Sequence, residues 1–380
     1  MSKDQAFDVV GIGALNLDYI VSSGTGGVPP ATAAWIGEVV RRLGITSEPG
    51  TETAVSAEVI RGVLVEADAV ASPTPMLGGS AFNAVRATAL ADAGLRLGFV
   101  GVAGDMPLAH HLSIDSRFEQ LRVDRSFVRH VPGYAGICFS YPERGDRTLL
   151  THAGANARMA RFIEVERDAI AGYLAGARLV HVTSFLDEVT APALVGLLRE
   201  VRRLSSRTRV SFDPGHVWSA NRTPAIDELA AMSDYLLLND REFRELAGLE
   251  VGAGDSARAA ALLGRSEHEH VAVVVKRPEG VLVYRREPFE GAVEGVACDF
   301  YDQTPLAPEE IADATGAGDV FAAGLLTVLA GGSVPSAEPD VGTGVRLGMR
   351  LARHKLRHLG FDGSEFADVA EALRAEADRA

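Results

Sequence analysis

The sequence predicts an α/β fold with a mainly parallel central sheet, and three observations support this prediction. From Ala175 onward, short β-rich runs alternate with helical patterns, which is typical of parallel strands joined by crossover helices. A β-rich run from Phe7 to Gly13 ends in glycine, which is typical of a buried first strand. Polar residues follow several of these runs. We therefore expect them to meet at one edge of the sheet, where open sheets bind ligands.

Composition and charge exclude several classes of function. Hydrophobic residues make up 47% and charged residues 23% of the 380 positions, which is ordinary for a globular protein. The net charge of −14 disfavours nucleic acid or an anionic membrane as the main partner, since both need a basic surface. Because Cys138 and Cys298 are the only cysteines, neither a disulfide framework nor a cysteine metal cluster is indicated. The sequence shows no signal peptide and no membrane span, and we expect a cytoplasmic protein.

The segment after the first strand begins with two polar residues and continues into an insertion. Asn16 and Asp18 stand just past the end of that strand. Apolar residues at helical spacing then predict two helices, over 33–43 and 56–64. These helices belong to a helical insertion from about 30 to 70, and the pattern assigns no chemistry to it.

A glycine pair opens the next unit of the chain. Gly78 and Gly79 lead through Ser80 into an Ala-rich helix that carries Asn83 in its first turn. This arrangement brings exposed backbone and an amide side chain to a helix start. Farther along, two β-rich runs flank a polar turn and predict a hairpin, over 136–142 and 147–151.

The C-terminal half supplies most of the predicted parallel strands. Four are expected, over 179–183, 209–212, 235–238 and 271–275. Three of them end in polar residues, namely Asp213, Asn239 and Lys276. A helix over 345–359 carries basic residues, Lys355 among them, on what we predict to be a solvated face.

The pair Asn239 and Glu242 stands at the start of a predicted helix and has two interpretations. The first is a capping box, in which Asn239 caps the helix and Glu242 reaches back to it. The second is that the pair helps to hold Mg²⁺ through water, because this ion prefers oxygen ligands and keeps its hydration shell. Both interpretations can hold together.

A seven-residue stretch over 313–319, Asp-Ala-Thr-Gly-Ala-Gly-Asp, runs directly into an apolar helix. The first N–H groups of a helix lack partners within it and bind anions. Gly316 and Gly318 let the backbone fold closely around such an anion, and Ala317 adds little bulk. The carboxylate of Asp319 is left beside this anion site. The arrangement suits transfer of a phosphoryl group to a hydroxyl whose proton the acid accepts.

This stretch resembles the signature of the ribokinase-like (PfkB) carbohydrate kinase family, whose usual form has Thr where this chain has Ala314. The resemblance extends from Val9 to about Gly360. It implies a single domain over residues 1–380, a three-layer α/β/α sandwich with a mainly parallel central sheet and a small β lid. The lid segments are expected at approximately 18–30 and 132–151.

The resemblance also implies roles for individual residues. Asp319 is the expected catalytic base, and the backbone of Gly316, Ala317 and Gly318 is the expected anion hole. The expected substrate-binding residues are Asn16, Asp18, Gly78, Gly79, Ser80 and Asn83. The expected nucleotide-binding residues are Asn239, Lys276, Gly280, Thr315, Gly316 and Gly318, and the expected Mg²⁺ site is Asn239 with Glu242.

The function that follows is an ATP-dependent kinase acting on a hydroxymethyl group of a sugar or sugar-containing small molecule. A nucleoside kinase of the adenosine type is the alternative, because Gly78-Gly79-Ser80 with Asn83 resembles that branch, whereas Asn16 two residues before Asp18 resembles the ribokinase branch. A non-catalytic ligand-binding homologue is a third reading, since a fold alone does not establish activity. The expected cofactors are ATP and Mg²⁺. Dependence on a monovalent cation and formation of a homodimer are further possibilities that the sequence leaves open.

Overall fold

The computed structural model describes residues 6–21, 30–46, 51–71, 73–106, 112–143, 146–268, 271–286, 295–331, 340–358, 360–361 and 363–377. Its strands are β1 (Phe7–Ile12), β2 (Asn16–Ile20), β3 (Glu52–Ala54), β4 (Thr74–Gly78), β5 (Leu97–Asp105), β6 (Val123–Tyr134), β7 (Gly136–Glu143), β8 (Asp146–His152), β9 (Ala177–Thr183), β10 (Arg209–Asp213), β11 (Tyr235–Asn239), β12 (Ala272–Arg277), β13 (Gly280–Arg286) and β14 (Val296–Asp302). Its helices are α1 (Pro30–Arg42), α2 (Ala57–Ala71), α3 (Ser80–Ala91), α4 (Ile114–Leu121), α5 (Met159–Ala175), α6 (Thr190–Leu204), α7 (Gly215–Ala220), α8 (Pro224–Ala231), α9 (Asp240–Ala247), α10 (Asp255–Arg265), α11 (Ala317–Leu329), α12 (Val341–Leu356) and α13 (Phe366–Ala377).

Nine of the described strands form the central sheet, in the order β14-β13-β12-β11-β10-β9-β1-β5-β6. The pairs from β12 through to β6 are parallel, while β13 and β14 add two antiparallel pairs at one edge. Because successive side chains of a strand point to opposite faces, Val9 and Val10 enter two different cores. The first core includes residues of α3 and α11, and the second includes residues of α5 and α6. The predicted mainly parallel sheet between two helical layers is confirmed.

A second, smaller sheet of five described strands has the order β3-β8-β7-β2-β4. The predicted hairpin is present in it as β7 and β8. Asn16 and Asp18 follow the end of β1, as we expected, and they lie within β2. Of the predicted lid segments, residues 22–29 lie outside the described residues.

The insertion packs against this smaller sheet. Its two predicted helices are present as α1 and α2, and apolar residues of both share a core with the sheet, including Ile36, Ile60, Leu17 and Phe139. Between the helices, the three residues of β3 pair in parallel with β8. The helical pattern did not predict this strand.

A close contact between two helices fixes the position of α11. A Cβ on Gly324 of α11 would lie 2.3 Å from the amide nitrogen of Gly348 in α12, and a Cβ on Gly348 would lie 2.5 Å from the carbonyl oxygen of Phe321. Only glycine permits this approach of one backbone to the other. This contact holds α11, whose first turn carries Asp319, against α12.

Candidate active site

The polar residues predicted at strand ends meet at one edge of the central sheet. Asp213, Asn239 and Lys276 stand at or next to the carboxyl ends of β10, β11 and β12, and Asn239 lies opposite Lys276 in the strand register. Together with Asp319 they line a cavity of about 610 Å³, which we call the large cavity. Much of its remaining wall is apolar, including Val281, Pro305, Leu306, Ile311 and Met349. A strand-end cleft of this kind is where open α/β sheets bind ligands.

The start of α11 presents unpaired backbone donors to the large cavity. Gly316 precedes the helix with a φ of +76°, a left-handed conformation that favours glycine. The amide of Ala317, which we predicted to be part of the anion hole, donates to the Ala314 carbonyl at 3.3 Å. Within the described part of the chain, the amides of Gly318 and Asp319 have no acceptor. These two donors point to anion binding at the helix start.

The Asp319 carboxylate is held by two neighbours from the start of α3. Its Oδ2 accepts a hydrogen bond from Asn83 Nδ2 at 2.9 Å, and the Ser80 side chain is a second hydrogen-bond partner. Burial raises the pKa of Asp319 to about 6, and the charge of Asp213 adds to this shift. Both of these hydrogen-bond partners are neutral groups. The carboxylate faces the large cavity and is available to a proton donor.

Arg86 orients the amide of Asn83, and sequence reasoning missed it. Its Nη2 donates to Asn83 Oδ1 at 2.7 Å and its Nη1 donates to the Leu77 carbonyl at 3.1 Å. The guanidinium carbon lies 3.4 Å from the ring centroid of Phe361. Because Arg86 occupies Oδ1, the Asn83 Nδ2 group is directed to Asp319. The spacing of three residues between Asn83 and Arg86 on one helix was the available signal.

A buried ion pair anchors the segment that leads into α11. Lys355 Nζ lies 3.2 Å from Asp313 Oδ2 and donates to the Asp313 carbonyl at 3.0 Å. The same carboxylate accepts from the amides of Thr315 and Gly360. The predicted solvated face was therefore wrong for Lys355, whose side chain is 1% exposed. Thr315, a predicted nucleotide contact, lies in the turn that this ion pair fixes.

Lys276 places a positive charge next to the unpaired amides. Its Nζ lies 3.0 Å from Asp213 Oδ2 and 3.6 Å from the point where a Cβ on Gly318 would stand. Burial lowers the pKa of Lys276, but the carboxylates of Asp213 and Glu242 outweigh that effect and raise it overall. The side chain is therefore an ammonium that faces the same cavity as the amides.

Gly280, another predicted nucleotide contact, lies in the tight turn between β12 and β13. Its φ is +152°, and a Cβ there would lie 2.4 Å from the Tyr301 carbonyl oxygen. The next residue, Val281, lines the large cavity. Gly280 thus shapes the chain that leads to Val281, a residue of the cavity wall.

Asn239 and Glu242 form the predicted capping box at the start of α9. Asn239 Oδ1 accepts from the Glu242 amide at 2.9 Å, and Glu242 Oε2 accepts from the Asn239 amide at 2.8 Å. Burial raises the pKa of Glu242 to about 7, with a further contribution from Asp213. Among the described residues, no group of three or more His, Cys, Asp or Glu side chains is placed to hold a metal ion. A carboxylate on the cavity wall nevertheless fits Mg²⁺, which binds through one or two carboxylates, waters and substrate phosphates.

A second cavity, of about 70 Å³, adjoins the first, and we call it the small cavity. Both cavities are lined by Ser80. Asn156 fixes the amide of Asn16 here, because its Nδ2 donates to Asn16 Oδ1 at 2.9 Å while its Oδ1 accepts from the Leu15 amide. Asn16 Nδ2 is then the group left for a ligand. Glu52 of β3 also lines this cavity, and no sequence pattern predicted this.

Asp18 and the glycine pair form the wall between the smaller sheet and α3. Asp18 is 8% exposed, and its Oδ1 has no hydrogen-bond partner within the described residues. Burial raises the pKa of Asp18 to about 7, Arg86 opposes this shift, and Asp319 and Glu52 add to it. A Cβ on Gly78 would lie 1.8 Å from Asp18 Oδ2, and one on Gly79 would lie 2.0 Å from the Ala14 carbonyl oxygen. Both positions therefore require glycine.

Comparison with protein families gives a match over most of the chain. The profile of the family described as pfkB family carbohydrate kinase matches residues 56–360. A cytidine kinase from Thermococcus kodakarensis is 29% identical over 289 residues, which cover 75% of this chain and 89% of that protein. The matched part includes α3, β10 to β12 and α11, which carry most of the residues described above.

Solved structures share the fold at low sequence identity. An adenosine kinase from Schistosoma mansoni has a TM-score of 0.74 at 16% identity, over 94% of this chain and 98% of that one. A ribokinase from Giardia lamblia has a TM-score of 0.67 at 16% identity, over 98% and 99%. The predicted ribokinase-like fold is confirmed. No helix in the described part of the chain is long and apolar enough to cross a membrane.

Proposed function

Because the chain belongs to the pfkB family of carbohydrate kinases, we propose that it transfers the γ-phosphoryl group of ATP to a hydroxymethyl group of a sugar or sugar-containing small molecule. Kinase activity and the use of ATP follow from the family. The acceptor group and the residue roles below are the proposal. The observation that carries it is the Asp319 carboxylate, which lines the large cavity at the helix start with two unpaired amides and is held by Ser80, a residue that lines both cavities.

In the proposed mechanism, Asp319 is the general base. The acceptor hydroxyl oxygen forms a bond to the γ-phosphorus, the bond from that phosphorus to the β–γ bridging oxygen breaks, and ADP leaves. The hydroxyl proton passes to the Asp319 carboxylate. Asn83 and Ser80 hold this carboxylate in place through hydrogen bonds, and Arg86 acts through Asn83 as a positioning residue. General-base catalysis of this kind contributes about a hundredfold to ten-thousandfold.

Backbone amides and one ammonium stabilise the transferred group. We assign the anion hole to the backbone at Gly316, Gly318 and Asp319, because Ala317 already donates to Ala314. Lys276 Nζ supplies positive charge beside Gly318. Donors that are fixed before reaction stabilise developing charge without reorganisation, and each is worth about 3 kcal/mol in studied enzymes.

The large cavity is the proposed nucleotide site. Its volume of about 610 Å³ suits a nucleotide, and its apolar wall suits a flat base. Glu242, positioned by its capping box with Asn239, would hold Mg²⁺ through water, and the ion would offset the charge of the nucleotide phosphates. Gly280 and Thr315 would shape the surrounding turns. Dependence on a monovalent cation and formation of a homodimer remain predictions.

The acceptor is proposed to enter the small cavity, with its reacting hydroxymethyl group at Ser80 and Asp319. Asn16 Nδ2 and the Asp18 carboxylate would pair with hydroxyl groups of the acceptor. Gly78 gives the room that Asp18 needs, and Gly79 lets α3 begin close to the Ala14 carbonyl. The smaller sheet supplies Asn16 and Asp18 and is the proposed lid. Closure of such a lid excludes water that would otherwise accept the phosphoryl group.

The polarity of the small cavity favours a sugar over a nucleoside. Polar residues dominate its lining and suit hydroxyl groups better than a flat base. The nucleoside alternative has one specific observation in its favour, the 29% identity to a cytidine kinase. A non-catalytic homologue would bind these ligands without forming ADP.

The test is acceptor-dependent ADP release with ATP and Mg²⁺. Neutral sugars, amino sugars, sugar acids, sugar phosphates and nucleosides are compared by kcat/KM, and the product is checked for a phosphate on the hydroxymethyl oxygen. We expect a sugar to give the highest value. A nucleoside as the best acceptor would establish the alternative, and ligand binding without ADP release from any acceptor would contradict kinase activity.

A further inference from the structure

The insertion between β2 and β4 contributes a carboxylate to the small cavity. Glu52 lies in β3, where it is opposite Leu149 of β8 in a parallel register. Two positions farther along β8, Thr151 Oγ1 donates to Glu52 Oε1 at 2.7 Å. Both side chains line the cavity beside Asn16 and Asn156. The insertion therefore reaches the place where the proposed acceptor binds.

The charge of the small cavity is negative. Glu52 and Asp187 are its charged lining residues in the described part of the chain, and no Lys or Arg lines it there. Both oxygens of Asp187 already have partners, because Oδ1 accepts from the amides of Val189 and Thr190 and Oδ2 accepts from the Thr190 hydroxyl. Glu52 differs, since Thr151 occupies Oε1 and Oε2 has no hydrogen-bond partner within the described residues. One carboxylate oxygen is thus left for a ligand.

Glu52 is partly buried, and a ligand that supplies a donor would stabilise its unpaired carboxylate oxygen. Burial raises the pKa of Glu52, and the hydrogen bond from Thr151 only partly opposes this. A hydroxyl or ammonium group from a ligand would offset the lost hydration, whereas a second anion would add repulsion in a poorly solvated space. Hydrogen bonds to charged groups are also stronger than those between neutral groups. The chemistry of the cavity therefore distinguishes between ligand classes.

We propose that Glu52 determines acceptor specificity. It accepts a hydrogen bond from a hydroxyl or amino group at the end of the acceptor that is remote from the reacting hydroxymethyl group. It selects neutral or amino sugars and rejects acceptors that carry a carboxylate or phosphate at that end. The inference rests on the proposed function, because it assumes that the small cavity holds the acceptor of the kinase reaction.

The experiment compares wild type with Glu52→Gln, which keeps the size of the side chain and removes its charge. Acceptors with the same reacting group are used, namely fructose, glucosamine, gluconate and glucose 1-phosphate, with cytidine included. For the best acceptor, Glu52→Gln is expected to raise KM about tenfold while kcat changes less than about threefold, as loss of a charged hydrogen bond implies. The ratio of kcat/KM for fructose over gluconate is expected to fall in the same variant.

Two further variants serve as controls. Thr151→Val removes the neutral donor and leaves the carboxylate, so preference against anionic acceptors should persist. Glu58→Gln removes an exposed acid in the first turn of α2, in the same insertion, and should match wild type. Equal thermal unfolding temperatures of the Glu52 and Glu58 variants would show that the effect on KM is local.

The outcomes separate this inference from the proposed function. Wild-type turnover of sugars with unchanged KM values in Glu52→Gln would overturn the role of Glu52 and leave the kinase assignment intact. A wild-type preference for gluconate or glucose 1-phosphate would also overturn it. ADP release with none of the acceptors would overturn both. An increase in KM for sugars together with weaker rejection of the anions supports the inference.

Discussion

The two cavities that meet at Ser80 are built in different ways. The large cavity takes its reacting groups from the ends of parallel strands and from the first turn of α11, and we call this the phosphoryl side. The small cavity takes Asn16 and Glu52 from the smaller sheet and Asn156 from the turn after β8, and we call this the acceptor side. The phosphoryl side combines strand ends with the backbone of one helix start, and the acceptor side consists of side chains from separate segments of the smaller sheet and the turn after it.

This difference teaches what each side can control. Backbone donors and a partly buried ammonium on the phosphoryl side cannot distinguish one sugar from another, but they can stabilise charge on any phosphoryl group. Side chains on the acceptor side contact parts of the ligand that do not react. We therefore expect changes on the phosphoryl side to lower kcat and changes on the acceptor side to raise the acceptor KM.

The largest expected effect is that of Asp319→Asn on the phosphoryl side. The amide cannot accept the hydroxyl proton, so kcat should fall at least about a hundredfold, the low end of general-base contributions. Acceptor KM and nucleotide affinity should change little, because the small cavity and the apolar wall are untouched. Steady-state kinetics and nucleotide titration give the three quantities.

The matched control is Asp368→Asn, an exposed aspartate in the first turn of α13. It has the same helix position and the same chemical change without a place in the site. Turnover by Asp319→Asn within a few-fold of this control would remove the proposed base. An increase in acceptor KM without a fall in kcat would assign Asp319 to the acceptor side. It would contradict the expected division between the two sides.

The second-largest expected effect is that of Lys276→Met, which should lower kcat about tenfold to a hundredfold. This variant removes the ammonium beside Gly318, which is the phosphoryl-side charge nearest to the anion hole. It also leaves the partly buried Asp213 carboxylate without its partner. The variant is therefore made alone and together with Asp213→Asn, and both are assayed for kcat and for acceptor KM.

The double variant separates the two consequences of losing Lys276. It restores charge balance, so it should fold as well as wild type yet retain the low kcat. Recovery of wild-type kcat in the double variant would mean that Lys276 only neutralises Asp213. Asp213→Asn alone should lower kcat less than Lys276→Met does, because the ammonium remains.

The sequence predicted the phosphoryl side well because local chain geometry builds it. A Gly-x-Gly at a helix start has unpaired amides wherever that helix lies. Parallel strands bring their carboxyl ends to one edge, so the convergence of Asn239 and Lys276 followed from the alternation of strands and helices. The capping box also followed from a spacing of three residues.

The acceptor side and its supports depend on contacts that no local pattern contains. Glu52 lies in a strand of three residues, too short for periodicity to show, and its partner Thr151 belongs to another hairpin. Lys355 occupies a polar position of an amphipathic helix, yet Asp313 from a separate segment covers it. The partner of Arg86, Phe361, lies near the other end of the chain. Only the tertiary structure brings these residues together.

The smallest expected effect is a pH dependence that involves one carboxylate from each side. Burial raises the pKa of Asp18 to about 7 and that of Asp319 to about 6. Asp319 must be ionised to accept a proton, and Asp18 must be ionised to pair with acceptor hydroxyls. Because both pKa values are raised, each group loses its charge as the pH falls through its own value.

The value of kcat/KM should therefore fall by about tenfold per pH unit between about 7 and 6 and more steeply below, since it reports the ionisations of the free enzyme. Asp18→Asn should lower kcat/KM at every pH and leave a single decline, which starts near the pKa of Asp319, about 6. The measurement is kcat/KM from pH 5 to 8 with the best acceptor, corrected for ATP protonation. A profile of unchanged shape in Asp18→Asn would show that the acceptor side does not titrate in this range, and the remaining decline would then belong to the phosphoryl side alone.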